Sequence, residues 1–277
     1  MCLIALAHRA APGLRLLVAA NRDEMFERPA APAHFWEDHA QILAGRDLRA
    51  GGTWLGMSRT GRFGAITNFR NPLDRRDDAP SRGALVSDFL LGEESPQAYL
   101  SRIAARAGAY NGFSLLVGDG NELWFCSNRN GDASRVEPGI HALSNHVLDE
   151  PWPKVRRARE GLRRLLAGSF DAEDCFELLA DETVAPDSEL PHTGIGLERE
   201  RKASAIRIID PVYGTRCSTV VIVRETGEMQ FHERSFAADG PVTGTASFNF
   251  SVELPGRAGG PFRGEQSRLP RTPGRAG

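Results

Sequence analysis

Apolar residues form short runs along the chain, and polar or turn-forming residues separate them. The runs at 2–7 and 14–20 lie on either side of a turn that contains Pro12 and Gly13. Neither run alternates between apolar and polar positions, which is typical of strands buried on both faces. The pattern therefore predicts an opening β-hairpin in the interior of the protein.

Further apolar runs predict strands downstream of this hairpin. Residues 21–52 contain Pro29 and Pro32 and show no regular pattern, so we expect an irregular stretch there. The charged segment 70–81 has two prolines and is expected to be an exposed, mobile loop. Strands are predicted at 53–58, at 62–69, on both sides of a turn at 119–121, and at 141–146, 204–210, 217–225 and 228–236.

Four segments have the spacing of amphipathic helices. The first begins near Ser81, and the second has Ser95 as its expected N-cap and a proline at its first position. The others are predicted at 152–166 and 172–180, and a polar loop follows around 186–196. The arginines of 152–166 allow two interpretations, an anion site or a solvated helix face, and the solvated face is favoured.

Hairpin-linked strands with helices inserted in pairs favour antiparallel sheets over a parallel array. The predicted fold is α+β, an αββα sandwich in which two stacked, mainly antiparallel sheets lie between helical layers. We expect residues 1–254 to form one domain. Residues 255–277 are rich in Pro, Gly and Arg and have little to bury, which predicts a disordered tail.

Charge and cysteine content narrow the function classes. The chain has 34 basic and 36 acidic residues among 277, a net charge of −2. This balance argues against a dedicated nucleic-acid surface, which needs a basic excess. No apolar run reaches the roughly 18 residues of a membrane span. Four scattered cysteines without a CxxC pair suit a reducing compartment, so the expected location is the cytoplasm.

Cys2 is the first candidate for chemistry. If residue 1 is removed, Cys2 carries a free α-amine, whose ordinary pKa of about 7.7–8.0 lies near that of a thiol, about 8.5. The amine can then take the thiol proton, so that nucleophile and base belong to one residue. A buried strand cysteine without a function is the alternative.

A polar cluster, Asn21, Arg22, Asp23 and Glu24, follows the second predicted strand. In a hairpin this cluster lies beside Cys2. A guanidinium there would favour the thiolate, and either carboxylate could hold the amine. A solvated turn with internal ion pairs is the alternative.

Two asparagines end predicted strands in similar settings, Asn68 in AITN and Asn145 in ALSN. A strand-end amide can donate to a developing oxyanion, and losing one such donor costs about 2.7–4 kcal/mol. Asparagine is also a common turn former, which is the structural alternative.

Other residues are candidates for binding rather than chemistry. Arg216, at the start of an apolar strand, could pair with a substrate carboxylate, with one of the nearby acids, or with a structural carboxylate. Trp54 and Arg70 are further candidates for substrate contacts. The histidines and cysteines lack the spacing of a structural zinc site, so no metal is expected.

The motifs of the chain resemble those of the NRDE family, also called the transport and Golgi organisation 2 family. The resemblance covers about residues 1–250. The matching motifs are MCLI, ANRDE, ILAGRDLRAGGTWLG, GRFGAITNFRNP, SRG, ALSN, PWPKV, LPHTGIG, YGTRCSTVV and HERSF.

The resemblance implies an N-terminal-nucleophile hydrolase fold, with choloylglycine hydrolases and acyl-CoA:penicillin acyltransferase-like enzymes as relatives. It further implies that Cys2 is the nucleophile, that Asn145 is an oxyanion donor or holds the amine, and that Asn68 is a second donor. In those relatives an Arg and an Asp are two residues apart, whereas Arg22 and Asp23 are adjacent here, so Asp23 and Glu24 both remain candidates for holding the amine. Asn21, Glu24, Trp54, Arg70 and Arg216 are the candidate substrate contacts.

Two functions follow. The first is a cysteine-dependent hydrolase or acyltransferase that acts on the C–N bond of a small amide and needs no cofactor. The second is a non-catalytic protein that binds haem, an acyl-CoA or a lipid on the same fold, since the family is associated with Golgi organisation, lipid metabolism and haem trafficking.

Overall fold

The computed structural model of the protein describes residues 2–74 and 76–252, and within these ranges it has thirteen β-strands and five α-helices. The strands are β1 (Cys2–Ala11), β2 (Leu14–Met25), β3 (Ala30–Phe35), β4 (Ile42–Asp47), β5 (Leu55–Ser58), β6 (Phe63–Asn68), β7 (Phe113–Gly118), β8 (Leu123–Ser127), β9 (Ser134–Arg135), β10 (Gly139–Leu143), β11 (Tyr213–Arg224), β12 (Glu228–Phe236) and β13 (Val242–Ser251). The helices are α1 (Gly83–Leu91), α2 (Pro96–Ala104), α3 (Pro153–Leu166), α4 (Ala172–Leu179) and α5 (Leu197–Ala203).

The described strands form two antiparallel sheets. One has six strands in the order β10-β1-β2-β11-β12-β13, and the other has seven in the order β3-β4-β5-β6-β7-β8-β9. The seven-stranded sheet follows the order of the chain, so neighbouring strands need only short connections. In the six-stranded sheet, β1 and β2 lie between strands from the second half of the chain.

The two sheets stack face to face, and helices cover both outer faces. Residues such as Val18, Phe63 and Phe231 fill the space between the sheets. Helices α3 and α4 pack on the six-stranded sheet, and α1 and α2 pack on the seven-stranded sheet. Fully burying each large apolar side chain contributes about 1.5–3 kcal/mol, so this layering is the main source of stability. The predicted αββα sandwich is confirmed.

The opening hairpin is also confirmed, and its register places the first candidate residues. Cys2 pairs directly with Arg22 in β1 and β2, and Cys217 of β11 pairs with Arg22 from the other side. Directly paired residues point to the same face of a sheet. Cys2, Arg22 and Cys217 therefore face the space between the sheets, while Asp23 faces the helical layer.

The expected irregular stretch at 21–52 is wrong. It contains the end of β2 and the whole of β3 and β4. Pro32 hid β3 from the pattern, because proline disfavours most strand positions. It is tolerated here since β3 is an edge strand and its pairing with β4 is irregular between Ala31 and His34.

The predictions for the last third of the chain are partly wrong. Residues 204–210 form no strand, although Ile206 and Ile208 are buried. The third strand of this region is β13, which the sequence did not predict because most of its residues are exposed on a sheet edge. Helix α5, directly after the predicted polar loop, was also missed. The predicted tail, 255–277, lies outside the described residues.

Within residues 2–74 and 76–252, no helix has the length and apolar character needed to cross a membrane.

Candidate functional site

Cys2 is held at the start of β1 by residues from several elements. Its backbone nitrogen donates a hydrogen bond to Asn145 Oδ1 at 3.3 Å, and its carbonyl oxygen accepts one from Ser144 Oγ at 3.0 Å. Burial raises the pKa of the Cys2 thiol, while a backbone hydrogen bond from Asp23 to the sulfur and the charge of Arg22 act in the opposite direction. Both the nitrogen and the sulfur of Cys2 thus have polar partners.

We define the inter-sheet cavity as the space lined by Cys2, Arg22, Trp54, Ile66 and Thr219 with their neighbours; together with the solvent-open space at its mouth it measures about 230 Å³. The Arg22 guanidinium lies 4.2 Å from the centre of the Trp54 ring. Its Nη2 is 3.9 Å from carboxylate oxygens of both Glu24 and Asp47. The cavity therefore combines apolar walls with one cation next to the cysteine.

Asp23 lies on the other face of β2 and is 3% exposed. Its carboxylate accepts a 2.7 Å hydrogen bond from Thr215 Oγ1, and its backbone oxygen accepts one from the Tyr213 hydroxyl. Burial raises the pKa of Asp23, whereas the charge of Lys154 and the Thr215 hydrogen bond act against that rise.

Lys154, in the first turn of α3, is only 1% exposed, and its charge acts on this carboxylate. Burial lowers the pKa of Lys154 to about 8, the charges of Asp23 and Cys2 oppose this decrease, and Arg70 adds to it. Within the part of the chain that the structure describes, Nζ of Lys154 has no hydrogen-bond partner. A lysine is almost never buried in this way unless it is paired.

A buried ion pair completes this side of the site. Arg70 Nη1 donates to Glu200 Oε2 at 2.6 Å, and the two side chains are 6% and 5% exposed. The Arg70 guanidinium also lies 4.5 Å from the centre of the Trp152 ring. Glu200, from α5, accepts a further hydrogen bond from the backbone nitrogen of Thr193. We call Asp23, Arg70, Lys154 and Glu200 the helix-side cluster.

The two candidate asparagines differ in their surroundings. Asn145 is fully buried, and its Nδ2 donates to the backbone oxygen of Asn68 at 3.0 Å. The backbone oxygen of Asn145 accepts a hydrogen bond from the backbone nitrogen of Arg70. Asn68, the last residue of β6, is exposed. The structure thus places Asn145 in contact with Cys2, whereas Asn68 contacts Asn145 through its backbone oxygen.

Three other candidates make mainly structural contacts. Asn21 donates to the backbone oxygens of residues 179 and 206, which tie β2 to the end of α4. Glu24 accepts from the backbone nitrogen of Met25. Arg216 donates to the backbone oxygens of residues 25 and 28 and so holds the loop before β3.

Sequence reasoning missed Lys154, Glu200 and Thr215. One signal could have pointed to Lys154, because only two of the 34 basic residues are lysines. Thr215 lies within the motif YGTRCSTVV, but neither it nor Glu200 gave a signal for its role, since their partners Asp23 and Arg70 are far away in the chain.

Among residues 2–74 and 76–252, no group of three or more His, Cys, Asp and Glu side chains is placed to hold a metal ion.

Comparison with known proteins adds the family. In solved structures, the chain is similar to the C2A mutant of conjugated bile acid hydrolase from Clostridium perfringens, with a TM-score of 0.48, 9% identity and coverage of 97% of both chains. It is also similar to a Caenorhabditis elegans orthologue of N-acylethanolamine-hydrolyzing acid amidase, with a TM-score of 0.40, 11% identity and coverage of 80% of this chain and 92% of that one.

Proteins found by sequence comparison have a higher sequence identity to this chain than these two structures. The Transport and Golgi organization protein 2 homolog of Bos taurus is 36% identical over 246 residues, which cover 82% of this chain and 88% of the relative. The Homo sapiens homolog is 34% identical over 245 residues, covering 80% and 86%. A family model described as Transport and Golgi organisation 2 matches residues 1–238. The chain therefore belongs to the Transport and Golgi organisation 2 family.

Proposed function

We propose that the protein is a cysteine-dependent hydrolase or acyltransferase that acts on the C–N bond of a small amide. The observation that carries this proposal is the placement of Cys2, whose sulfur lines the inter-sheet cavity while its nitrogen contacts Asn145 Oδ1 at 3.3 Å. A nucleophile and a potential base on one residue, both with polar partners at a cavity, suit acyl transfer.

The reaction begins once residue 1 has been removed. The α-amine of Cys2 takes the thiol proton, and the sulfur attacks the carbonyl carbon of the amide. The amides of Asn145 and Asn68 donate to the oxyanion. The protonated amine then gives its proton to the leaving nitrogen, and the C–N bond breaks to leave a thioester. Water, or an acceptor amine, attacks the thioester and releases the acyl group, and the sulfur regains a proton.

Asp23 is better placed than Glu24 to hold the amine. The Asp23 backbone contacts the Cys2 sulfur, and its carboxylate is buried. The Glu24 carboxylate instead contacts the backbone of Met25 and lies 3.9 Å from Arg22. We therefore infer that Asp23 holds the α-amine of Cys2 and that Arg22 favours the Cys2 thiolate.

The cavity supports a small substrate. Ile66, Leu55 and Trp54 give it apolar walls, which suit a short acyl group. A carrier of haem or an acyl-CoA remains the second function, and a haem titration distinguishes it from the enzyme.

The test combines intact mass with turnover. Mass spectrometry should show loss of residue 1, and the purified protein should hydrolyse members of a panel of short N-acyl amides. Replacing Cys2 with Ala should reduce turnover to the background rate. Cys126→Ala is the matched control, because Cys126 is buried among α1, α2 and the seven-stranded sheet and should not affect turnover.

Unchanged turnover in Cys2→Ala would refute the proposal, as would a fully retained residue 1 in an active protein. A Soret shift on haem titration that is lost in the same variant, without amide turnover, would instead support a carrier.

A further inference from the structure

Lysine is rare in this chain, and one of its two lysines is buried at the site. Lys154 is 1% exposed, whereas the side chain of Lys202 is 60% exposed and pairs with Asp210 at 2.5 Å. Arginine otherwise supplies the positive charge. Because a buried lysine can lose its proton and an arginine cannot, the residue type matters at position 154.

Charged groups from four elements act on Lys154. Cys2 of β1 and Asp23 of β2 favour its charged form, whereas Arg70, after β6, and Arg157 of α3 oppose it. Arg70 is already neutralised by Glu200.

Arg157 is likewise neutralised, by Asp181 at 2.9 Å. Among the charged groups that act on Lys154, Asp23 acts most strongly. A lysine with a purely structural role would be expected to donate to a carbonyl or carboxylate oxygen, but Lys154 makes no such bond to the described residues.

We propose that Lys154 is a positioning residue that controls proton transfer at Cys2 by offsetting the charge of Asp23. The inference rests on the proposed function only in taking Cys2 as the reacting residue. When Lys154 is charged, Asp23 holds the Cys2 amine less readily as an ammonium, and the same charge favours the thiolate that remains after the amine accepts the thiol proton. When Lys154 is neutral, Asp23 holds the amine as an ammonium, which cannot take that proton. Lys154 keeps its own proton during the transfer from sulfur to nitrogen.

The first experiment measures Lys154 directly in the intact protein. Labelling with [ε-¹³C]lysine gives two NMR resonances, and Lys202→Met identifies which one belongs to Lys154. We expect Lys154 to titrate with a pKa of about 8, and at lower pH in Asp23→Asn, where its acid partner is missing. A pKa at the ordinary lysine value, or one that Asp23→Asn leaves unchanged, would overturn the proposal.

The second experiment measures the reactivity of Cys2 without requiring turnover. The rate of iodoacetamide alkylation, mapped to Cys2 by mass spectrometry, is followed against pH. Lys154→Met should raise the apparent pKa of the Cys2 thiol by about one unit, so that alkylation on the acid side becomes about tenfold slower. Lys202→Met is the matched control and should leave the profile unchanged.

An identical pH profile in Lys154→Met would contradict the inference even if that variant were less stable. If Lys154→Met does not fold, the NMR titration of Lys154 in the wild-type and Asp23→Asn proteins tests the inference instead. A shifted alkylation profile in a protein without amide turnover would uphold this inference and refute the proposed enzyme.

Discussion

At the carboxyl end of β2, the charged side chains on the two faces of the strand differ in how closely they contact their partners. On the inter-sheet face, Arg22 stacks on Trp54 and has carboxylate oxygens at 3.9 Å, a distance too long for direct hydrogen bonds. On the helix-side face, Asp23 and Lys154 are almost completely buried, and their neighbour Arg70 makes a 2.6 Å contact with its acid.

The difference shows that one step along a strand separates two electrostatic environments. Alternation of side chains sends Arg22 into the cavity and Asp23 under the helices, while Cys2 touches both environments. On the cavity face, Arg22 lies beyond hydrogen-bond distance of its two acids. The helix-side face has fixed, buried charge, which suits control of a proton. The following predictions test this comparison.

The largest effect on stability is expected for the buried ion pair. Glu200→Gln leaves the Arg70 guanidinium buried without its acid, and breaking such a pair costs about 3–5 kcal/mol. Denaturant unfolding would measure the loss. Glu198→Gln is the matched control on the same helix, because Glu198 is 80% exposed and its loss should change the midpoint little. Equal effects of the two variants would show that the buried Arg70–Glu200 pair is held no more tightly than an exposed pair.

A smaller loss is expected for Thr215→Val, which keeps the shape of the side chain. Thr215 Oγ1 donates to Asp23 and accepts from the backbone nitrogen of Ile208, so two buried groups lose a partner. The free energy of unfolding should decrease by about 2 kcal/mol. Thr243→Val, on the exposed strand β13, should stay within about 0.5 kcal/mol. A Thr215→Val variant as stable as this control would show that Asp23 does not depend on the hydroxyl.

The pH dependence of stability should identify Lys154. Its pKa is about 8 in the folded protein against an ordinary 10.5, so between these values the unfolded chain binds a proton that the folded chain does not. Stability then rises with pH. Relative to Lys154→Met, the wild type should gain roughly 1.5 kcal/mol from pH 8 to pH 9.5. Both proteins contain the same cysteines, so the titration of the thiols does not contribute to the difference between their stability curves. Parallel curves would mean that Lys154 is not buried as a free amine.

The smallest effect is expected on the inter-sheet face. Glu24→Gln removes a carboxylate whose side chain is 29% exposed and which lies 3.9 Å from Arg22. The free energy of unfolding should change by less than about 0.5 kcal/mol. A loss comparable to that of Glu200→Gln in the same denaturant assay would show that both faces hold their charges equally tightly.

Local patterns were sufficient to predict the parts of the fold that are formed by elements adjacent in the sequence. The hairpin of β1 and β2 could be predicted because its strands are adjacent in sequence, and its register then brings Arg22 and Asp23 beside Cys2. The layer order followed from pairs of helices between groups of strands. Asn145 could be proposed because it ends a strand in a polar setting.

Long-range contacts explain what the sequence could not show. Arg70 and Glu200 are 130 residues apart, and no local pattern links them. Lys154 lies in a segment whose many arginines indicated a solvated helix face, although its own side chain points inwards. The apolar segment 204–210 resembled a strand because burial alone does not distinguish a strand from a packed loop.

The register of the six-stranded sheet also limits how Cys2 can respond to oxidants. Cys2 and Cys217 lie on either side of Arg22, two strand spacings apart, so their Cα atoms are separated by about 10 Å. A disulfide needs a separation of less than about 7 Å. A sulfenic acid formed at Cys2 therefore cannot be resolved by Cys217, and its recovery would depend on a thiol supplied from solution.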